Sequence, residues 1–213
     1  MIIVTGGAGF IGSNLVGRLC QTGHDDVVVV DDLQCGQKFS NVVEYDLMDY
    51  WSSEEFLSHL LDDKFGEKPR VVFHQGACSD TTEWNGAYMM KNNFTFSKIV
   101  FEYCLKFNIP FIYASSAATY GDGKLGYNDD HEIVDKLNPL NPYGVSKNEF
   151  DKWVLQQDTS PSFWAGFKFF NVYGPNEYHK GRMASVILHS CKNVINNNHI
   201  KFDISMIIDL SCF

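Results

Sequence analysis

Tyr143 and Lys147 are the residues of this sequence whose types and spacing best suit proton transfer. Side chains four residues apart on a helix lie one above the other on the same face. A free tyrosine has a pKa of about 10, which is too high for a base near neutral pH. Because a nearby ammonium favours the phenolate, we expect Lys147 to lower the pKa of Tyr143. We therefore predict that both residues are catalytic.

Ser115 and Ser116 end a predicted strand, where a hydroxyl could hydrogen-bond a substrate oxygen. Alternate side chains of a strand point to opposite faces, so only one of the two serines can face Tyr143. We predict that Ser116 is the catalytic and substrate-binding hydroxyl.

A glycine-rich turn, GGAGFIG at residues 6–12, follows the first predicted strand and opens a helix. The glycines at Gly6, Gly9 and Gly12 permit a tight turn and let the backbone approach a pyrophosphate at the helix N-terminus. An acidic residue, Asp31, ends the second predicted strand 19 residues after Gly12. This combination predicts a dinucleotide site.

The acidic pair Asp31 and Asp32 leaves the choice of cofactor open. A carboxylate at this position suits the ribose 2′-hydroxyl of NAD and repels the 2′-phosphate of NADP. Lys38 follows closely and could offset that repulsion.

The elements that must position these residues alternate between strand and helix, as in a doubly wound α/β parallel sheet of the Rossmann type. We predict strands at 2–5, 27–31, 70–74, 109–114 and 163–170, and helices at 10–22, 54–63, 84–107, 141–157 and 183–196. Residues 1–175 are expected to form the dinucleotide-binding domain. Residues 176–213 are expected to begin an incomplete C-terminal substrate lobe.

Charge and composition narrow the class of partner for this chain of 213 residues. The formal net charge of −9 without a Lys/Arg run argues against nucleic acid and anionic membranes. No stretch is long and apolar enough to cross a bilayer. The six cysteines show no metal-ligand spacing, so no metal site is expected. We expect a cytoplasmic protein with reduced thiols.

Three other polar features have distinct predicted roles. The segment from His179 to Arg182 is a basic patch beyond the last strand, suited to a diphosphate or a second acid–base group. His74 is expected to pack or hydrogen-bond rather than act as a base. Asn92 is polar within an apolar helix and is expected to anchor a loop or the cofactor.

Several segments together resemble the extended short-chain dehydrogenase/reductase superfamily: TGGAGFIG, HQGACSDTTEW, YMMKNN, YASSAATYG, NPYGVSK and FFNVYGPNEYHKGRMAS. The segments with ACSDTTEW and HKGRMAS are similar, more specifically, to the ADP-glycero-manno-heptose 6-epimerases of that superfamily. The resemblance covers the chain from Met1 to about His189.

The resemblance implies inversion at C6 of the heptose in an ADP-linked sugar, a step in lipopolysaccharide core precursor synthesis. It implies a tightly bound NADP, with NAD as the alternative. Hydride leaves C6 and returns to the other face, with Tyr143 and Lys180 as the two proton-transfer groups. Lys147 is expected to hold the nicotinamide ribose.

The resemblance also supplies the remaining contacts. The implied cofactor residues are Phe10, Ile11, Asp31, Asp32, Lys38, Gln75, Gly76, Ala77, Cys78, Ser79, Asn92, Lys147, Val172 and Lys180. The implied substrate-binding residues are Asn171, Arg182 and His189. Where the family often has a basic residue near the cofactor, this sequence has Ser53, which could weaken binding. Family members are homo-oligomers.

The C-terminal sequence departs from the family pattern after about residue 202, and an apolar tail runs from Ile204 to Phe213. We expect a truncated or frameshifted chain that turns over substrate poorly or not at all.

Two alternatives remain open. The first is another nucleotide-sugar enzyme: a dehydratase is disfavoured because Ala117 and Ala118 replace its acid–base pair, whereas a UDP-hexose epimerase is harder to exclude. The second is a non-catalytic fragment that binds only the dinucleotide.

Overall fold

A computed structural model describes residues 1–32 and 36–197. These residues form a six-stranded sheet in the order β3-β2-β1-β4-β5-β6, in which every neighbouring pair is parallel. The strands are β1 (Ile2–Thr5), β2 (Val27–Val30), β3 (Asp49–Trp51), β4 (Val71–His74), β5 (Phe111–Ser116) and β6 (Trp164–Phe169). The predicted doubly wound parallel fold is confirmed.

Helices connect the strands, as a parallel sheet requires. The α-helices are α1 (Phe10–Gln21), α2 (Gly36–Phe39), α3 (Ser53–Leu61), α4 (Gly86–Met89), α5 (Phe96–Phe107), α6 (Pro142–Leu155) and α7 (Val186–Asn197). A π-helical segment, Met90–Thr95, joins α4 to α5 without a break. Short 3-10 helices span Ala117–Tyr120, His131–Lys136 and Tyr178–Met183.

The two faces of the sheet pack against separate hydrophobic layers. Strand alternation sends Ile3 and Val28 to an aromatic layer that includes Phe101. The neighbouring residues Val4 and Val29 face the other layer, against Val16 of α1. Burial on both faces explains why β2 is an uninterrupted apolar run and why β1 is apolar up to its last residue, Thr5.

The strand β3 and the helix α2 were not predicted from the sequence. In β3 only Trp51 is buried, so this three-residue strand carries little of the apolar signal on which a sequence-based prediction depends. The four residues of α2 are too few to show a helical repeat. The other predicted boundaries differ from the structure by at most three residues.

Strand order places a crevice above the centre of the sheet. The chain runs outward from β1 through β2 to β3, then returns to the other side of β1 as β4. Ligands of open α/β sheets bind where the order reverses, outside the carboxyl ends of the strands.

No helix in residues 1–32 and 36–197 is long and apolar enough to cross a membrane. The predicted tail, Ile204 to Phe213, lies outside the described residues, and the domain boundary at residue 175 stays a prediction.

Candidate active site

A cleft of about 1910 Å³ opens at the carboxyl edge of the sheet. It exceeds the usual volume of a site for one small molecule, so a dinucleotide and a second ligand could share it. All of the predicted site residues line it: Gly6, Gly9, Phe10, Ile11, Gly12, Asp31, Asp32, Lys38, Gln75, Gly76, Ala77, Cys78, Ser79, Asn92, Ser116, Tyr143, Lys147, Asn171, Val172, Lys180, Arg182 and His189.

The glycine turn is a cradle that side chains would fill. Gly6 has φ +64°, and a Cβ there would lie 2.7 Å from the Cα of Gly76. A Cβ on Gly12 would lie 2.1 Å from the carbonyl oxygen of Gly6. Gly9 precedes α1 without a side-chain cap, so backbone N–H groups of the first turn are available to an anion.

A buried polar atom of Gln75 also fits a bound ligand. Its Oε1 is buried and has no hydrogen-bond partner among the described residues, although the side chain borders the cleft. Buried polar atoms in proteins are nearly always paired. Together with the glycine cradle, this atom fits a dinucleotide that supplies a donor.

Asp31 fastens the glycine turn to the end of β2. Its Oδ2 accepts a hydrogen bond of 2.9 Å from the Ala8 N–H, and its Oδ1 accepts one of 2.7 Å from the Asp32 N–H. Lys38 forms an ion pair with the same carboxylate. The carboxylate therefore has an internal structural role, and its charge is offset where the ribose of a dinucleotide would lie.

The reaction-centre residues come together at the end of β5. The hydroxyl of the half-buried Tyr143 hydrogen-bonds Ser116. Lys147, one turn later on α6, donates a 2.8 Å hydrogen bond to the carbonyl of Ala114. Ser115 points the other way, as strand alternation predicts, and donates to Asp151 at 2.7 Å.

The pKa of Tyr143 does not follow the sequence-based expectation. Burial raises it, the hydrogen bond with Ser116 lowers it, and the neighbouring Cys78 and Asp151 raise it, so that the net shift is upward. The prediction that Lys147 lowers this pKa is wrong for the structure described. The ammonium is directed to the Ala114 carbonyl, and burial lowers its own pKa to about 8.

Lys180 lies on the 3-10 segment after β6, against the first turn of α1. Its Nζ is 5.5 Å from the centre of the Phe10 ring. Burial lowers the pKa of Lys180, and the carboxylate of Glu177 partly opposes this effect. A cation with a lowered pKa suits exchange of a proton closer to neutral pH.

Glu177 organises the loop that carries Lys180, and sequence reasoning missed it. This buried carboxylate accepts hydrogen bonds from the Gly174 N–H at 3.3 Å, the Ser185 N–H at 2.5 Å and the Ser185 hydroxyl at 2.8 Å. Burial would raise its pKa, but the hydrogen bonds from Ser185 and Gly174 and the charge of Lys180 hold the pKa below its usual value.

Of the three residues predicted from the resemblance to bind substrate, Arg182 and His189 have different surroundings, while Asn171 lines the cleft. Arg182 hydrogen-bonds Thr82 and lies 3.4 Å from the carboxylate of Asp80, across the cleft. The Nε2 of His189 is buried and has no partner among the described residues. Both residues line the cleft, but Arg182 already has acceptors within the chain.

Asn93, rather than the predicted Asn92, is the buried anchor of its helix. It binds both backbone polar groups of Cys78, at 2.8 and 2.9 Å, and the Ser146 hydroxyl at 3.0 Å. Asn92 borders the cleft and donates to the carbonyl of Tyr88. Both asparagines lie in the π-helical turn, which no sequence pattern indicated.

His74 has the structural role that the sequence predicted. Its ring nitrogens pair with the hydroxyls of Thr5 and Ser97, at 2.7 and 2.8 Å. Burial, together with the charge of Lys147, lowers the pKa of His74 to about 3. The ring therefore stays neutral near pH 7 and fastens β1 and β4 to α5. No cluster of His, Cys, Asp and Glu in residues 1–32 and 36–197 could hold a metal ion.

Comparison with known proteins places this cleft in a family. The sequence profile described as "NAD dependent epimerase/dehydratase family" matches residues 2–210. The chain belongs to this family. The match continues past His189, where the resemblance was expected to end. Members are described as NAD dependent, which agrees with the glycine cradle in assigning a nicotinamide dinucleotide as cofactor.

Three relatives of this epimerase/dehydratase chain carry more specific names. An ADP-L-glycero-D-manno-heptose-6-epimerase of Fusobacterium nucleatum is 46% identical over 203 residues, covering 94% of this chain and 61% of the relative. The crystal structure of the Helicobacter pylori enzyme of the same name is 31% identical, with a TM-score of 0.80, over 93% of this chain and 64% of that one. A UDP-glucose 4-epimerase of Thermotoga maritima is 27% identical, with a TM-score of 0.71, over 91% and 62%.

The resemblance to heptose 6-epimerases is thus confirmed as a similarity of sequence and fold. The chain spans somewhat less than two thirds of the length of these relatives.

Proposed function

We propose that this cleft is the dinucleotide side of an ADP-glycero-manno-heptose 6-epimerase site, which inverts C6 of the heptose for lipopolysaccharide core precursor synthesis. The observation that carries the proposal is the Tyr143–Ser116 hydrogen bond, with Lys147 beside it, in the same cleft as the glycine cradle and Lys180. The named relatives at 46% and 31% identity support the choice of sugar.

The proposed reaction is a transient oxidation followed by a reduction. A bound oxidised nicotinamide supplies a hydride acceptor that returns the hydride to the substrate. Tyr143, in its phenolate form, takes the proton of the C6 hydroxyl as the C6–H bond breaks with loss of hydride to that acceptor, and the Ser116 hydroxyl holds the same oxygen. The product of this half-reaction is a C6 ketone, which has two faces.

Inversion at C6 calls for a second acid–base group, because the hydride must return to the other face of the ketone. Lys180 borders the same cleft, and burial lowers its pKa. We assign it to the second proton transfer. Lys147, a buried cation directed to the end of β5, is assigned to the ribose of the nicotinamide nucleotide.

The proposed cofactor is tightly bound NADP, with NAD as the alternative. Lys38 pairs with Asp31 and offsets the carboxylate that would repel a 2′-phosphate. The proposed partner is an ADP-sugar, with Asn171, Arg182 and His189 as its contacts at the outer side of the cleft. A cytoplasmic homo-oligomer is proposed on the resemblance alone.

A UDP-hexose 4-epimerase is the second candidate, because the Thermotoga maritima enzyme shares the fold at a TM-score of 0.71. Its lower identity, 27% against 46% for the Fusobacterium relative, makes it the weaker candidate. Elimination of water is disfavoured, because Ala117 and Ala118 follow Ser116 where a dehydratase needs an acid–base pair, and only Ala118 of the two lines the cleft.

The test uses single-turnover conditions, in which one reaction per cleft is enough to be detected. Chain loaded with NADP is mixed with an equal concentration of ADP-glycero-manno-heptose or, in a parallel reaction, of UDP-glucose. NMR follows the configuration at C6 of the heptose or at C4 of the glucose while NADPH absorbance is recorded. We expect inversion at C6 with ADP-heptose and none with UDP-glucose. Reaction of UDP-glucose alone would favour the second candidate, and binding of NADP without reaction of either sugar would indicate a dinucleotide-binding fragment.

A further inference from the structure

A buried carboxylate, Asp151, lies directly below the reaction centre, where sequence reasoning assigned no role. On α6 the residues Tyr143, Lys147 and Asp151 follow each other at intervals of four, so they form one stripe along the helix. Asp151 is 5% exposed. Buried carboxylates of this kind are rare unless they are paired.

Three successive residues of β5 form hydrogen bonds with this stripe. Tyr113 donates a 2.9 Å hydrogen bond to Oδ1 of Asp151, and Ser115 donates one of 2.7 Å to Oδ2. Between them, the carbonyl of Ala114 accepts from Lys147. The carboxylate therefore fixes the same strand end that holds the lysine.

A second cation completes the network. Lys168 of β6 lies 2.6 Å from Oδ2 of Asp151 and donates a 2.8 Å hydrogen bond to the Thr119 hydroxyl. The side chain of Lys168 is only 14% exposed. The Asp151 carboxylate is therefore shared by two largely buried cations: Lys168 contacts it directly, and Lys147 lies one helical turn away.

We propose that Asp151 is a positioning residue that keeps the ammonium of Lys147 charged and directed to the end of β5. The proposal rests on the proposed function, in which that ammonium binds the nicotinamide ribose. Burial of a lysine favours its neutral form, and a nearby carboxylate opposes this. A neutral Lys147 would be a much weaker partner for the ribose and for a phenolate at position 143.

The other titratable groups that the structure describes near Lys147 do not supply a negative charge that would favour its protonated form. Among the described residues, His74 of β4 is near enough to Lys147 for the lysine charge to lower the pKa of the imidazole, so the ring stays uncharged. Cys78 and Tyr143 face the same space. Asp151 is the carboxylate whose charge favours the protonated form of Lys147.

The test follows the titration of Lys147 itself, by NMR of lysine labelled with ¹³C at Cε and assigned with Lys147→Arg. In the parent chain the midpoint is expected at about 8. In Asp151→Asn it moves to lower pH by about one unit, the lower end of the effect of a close opposite charge. Tyr113→Phe, which removes a hydrogen bond but keeps the carboxylate, leaves the midpoint nearly unchanged.

Two further variants cover the case in which Asp151→Asn does not fold, as judged by circular dichroism. Asp151→Glu retains the charge and the parent midpoint. Lys168→Gln removes the competing cation, so the midpoint moves to higher pH. A folded Asp151→Asn with the parent midpoint would overturn the proposal, as would a Lys168→Gln midpoint that does not rise.

NADPH titrations over the same pH range separate this inference from the proposed function. We expect the affinity of Asp151→Asn to fall at a lower pH than that of the parent. If the parent chain binds no NADPH, the proposed function fails while the NMR midpoints still decide the role of Asp151. Normal NADPH binding with identical pH profiles in both chains would refute the positioning role alone.

Discussion

Gly12→Ala is the substitution that most directly strains the proposed pyrophosphate cradle. The added Cβ would lie 2.1 Å from the carbonyl oxygen of Gly6 and 2.9 Å from the Cα of Gly7. Both are backbone atoms, so α1 and the turn must separate by roughly 1 Å, and overpacking of this kind costs about 1–3 kcal/mol. The shift moves the N–H groups of the helix N-terminus away from the phosphates.

The assay combines urea unfolding with NADPH fluorescence titration. We expect Gly12→Ala to lower the free energy of unfolding by about 1–3 kcal/mol, and to weaken NADPH binding at least tenfold, about 1.4 kcal/mol. Gly66→Ala is the matched control, because nothing lies within 4 Å of a Cβ there. Parent affinity for NADPH in a folded Gly12→Ala chain would refute a phosphate site at this turn.

Three further substitutions test separate parts of the account. Tyr143→Phe should keep NADPH affinity but slow C6 inversion by roughly 10²–10⁴-fold, since it removes an acid–base group; an unchanged single-turnover rate would contradict its role. Lys38→Met should weaken NADP more than NAD in parallel titrations, because it leaves Asp31 uncompensated; equal losses would count against the preference for NADP. The folded chain lowers the pKa of Glu177, so the ionised carboxylate stabilises the parent above about pH 4.5, and this stabilisation is lost as the pH falls through the lowered pKa. Glu177→Gln should lack this pH-dependent part of the stability. Urea unfolding from pH 7 to pH 3 measures this, and parallel curves for the two chains would refute it.

Much of the fold was accessible from the sequence because the central strands are buried on both faces. β2 is a continuous apolar run and β1 is apolar up to Thr5, a pattern that identifies buried parallel strands without any partner being known. The glycine turn could also be predicted from the sequence, since the spacing of its glycines follows from local backbone requirements. The strand β3 could not be predicted from the sequence, because it is defined by its pairing with β2 and not by an apolar pattern of its own.

The parts of the site that sequence reasoning missed depend on contacts between distant segments. Asp151 is four residues beyond Lys147, so helical spacing could have drawn attention to it, but its burial depends on Tyr113 and Ser115 of another element. Glu177 has no local signal, because Ser185 becomes its partner only when the loop closes on itself. The pKa of Tyr143 was misjudged because burial cannot be weighed from spacing alone.

The central claim is that a nicotinamide dinucleotide lies in this cleft with its reactive ring beside Tyr143. A crystal structure of the chain grown with NADP tests it most directly. We expect the pyrophosphate at the first turn of α1, the nicotinamide next to the Tyr143 hydroxyl, and the ribose within hydrogen-bond distance of Lys147. A dinucleotide bound elsewhere, or a Tyr143 hydroxyl directed away from the bound ring, would contradict it.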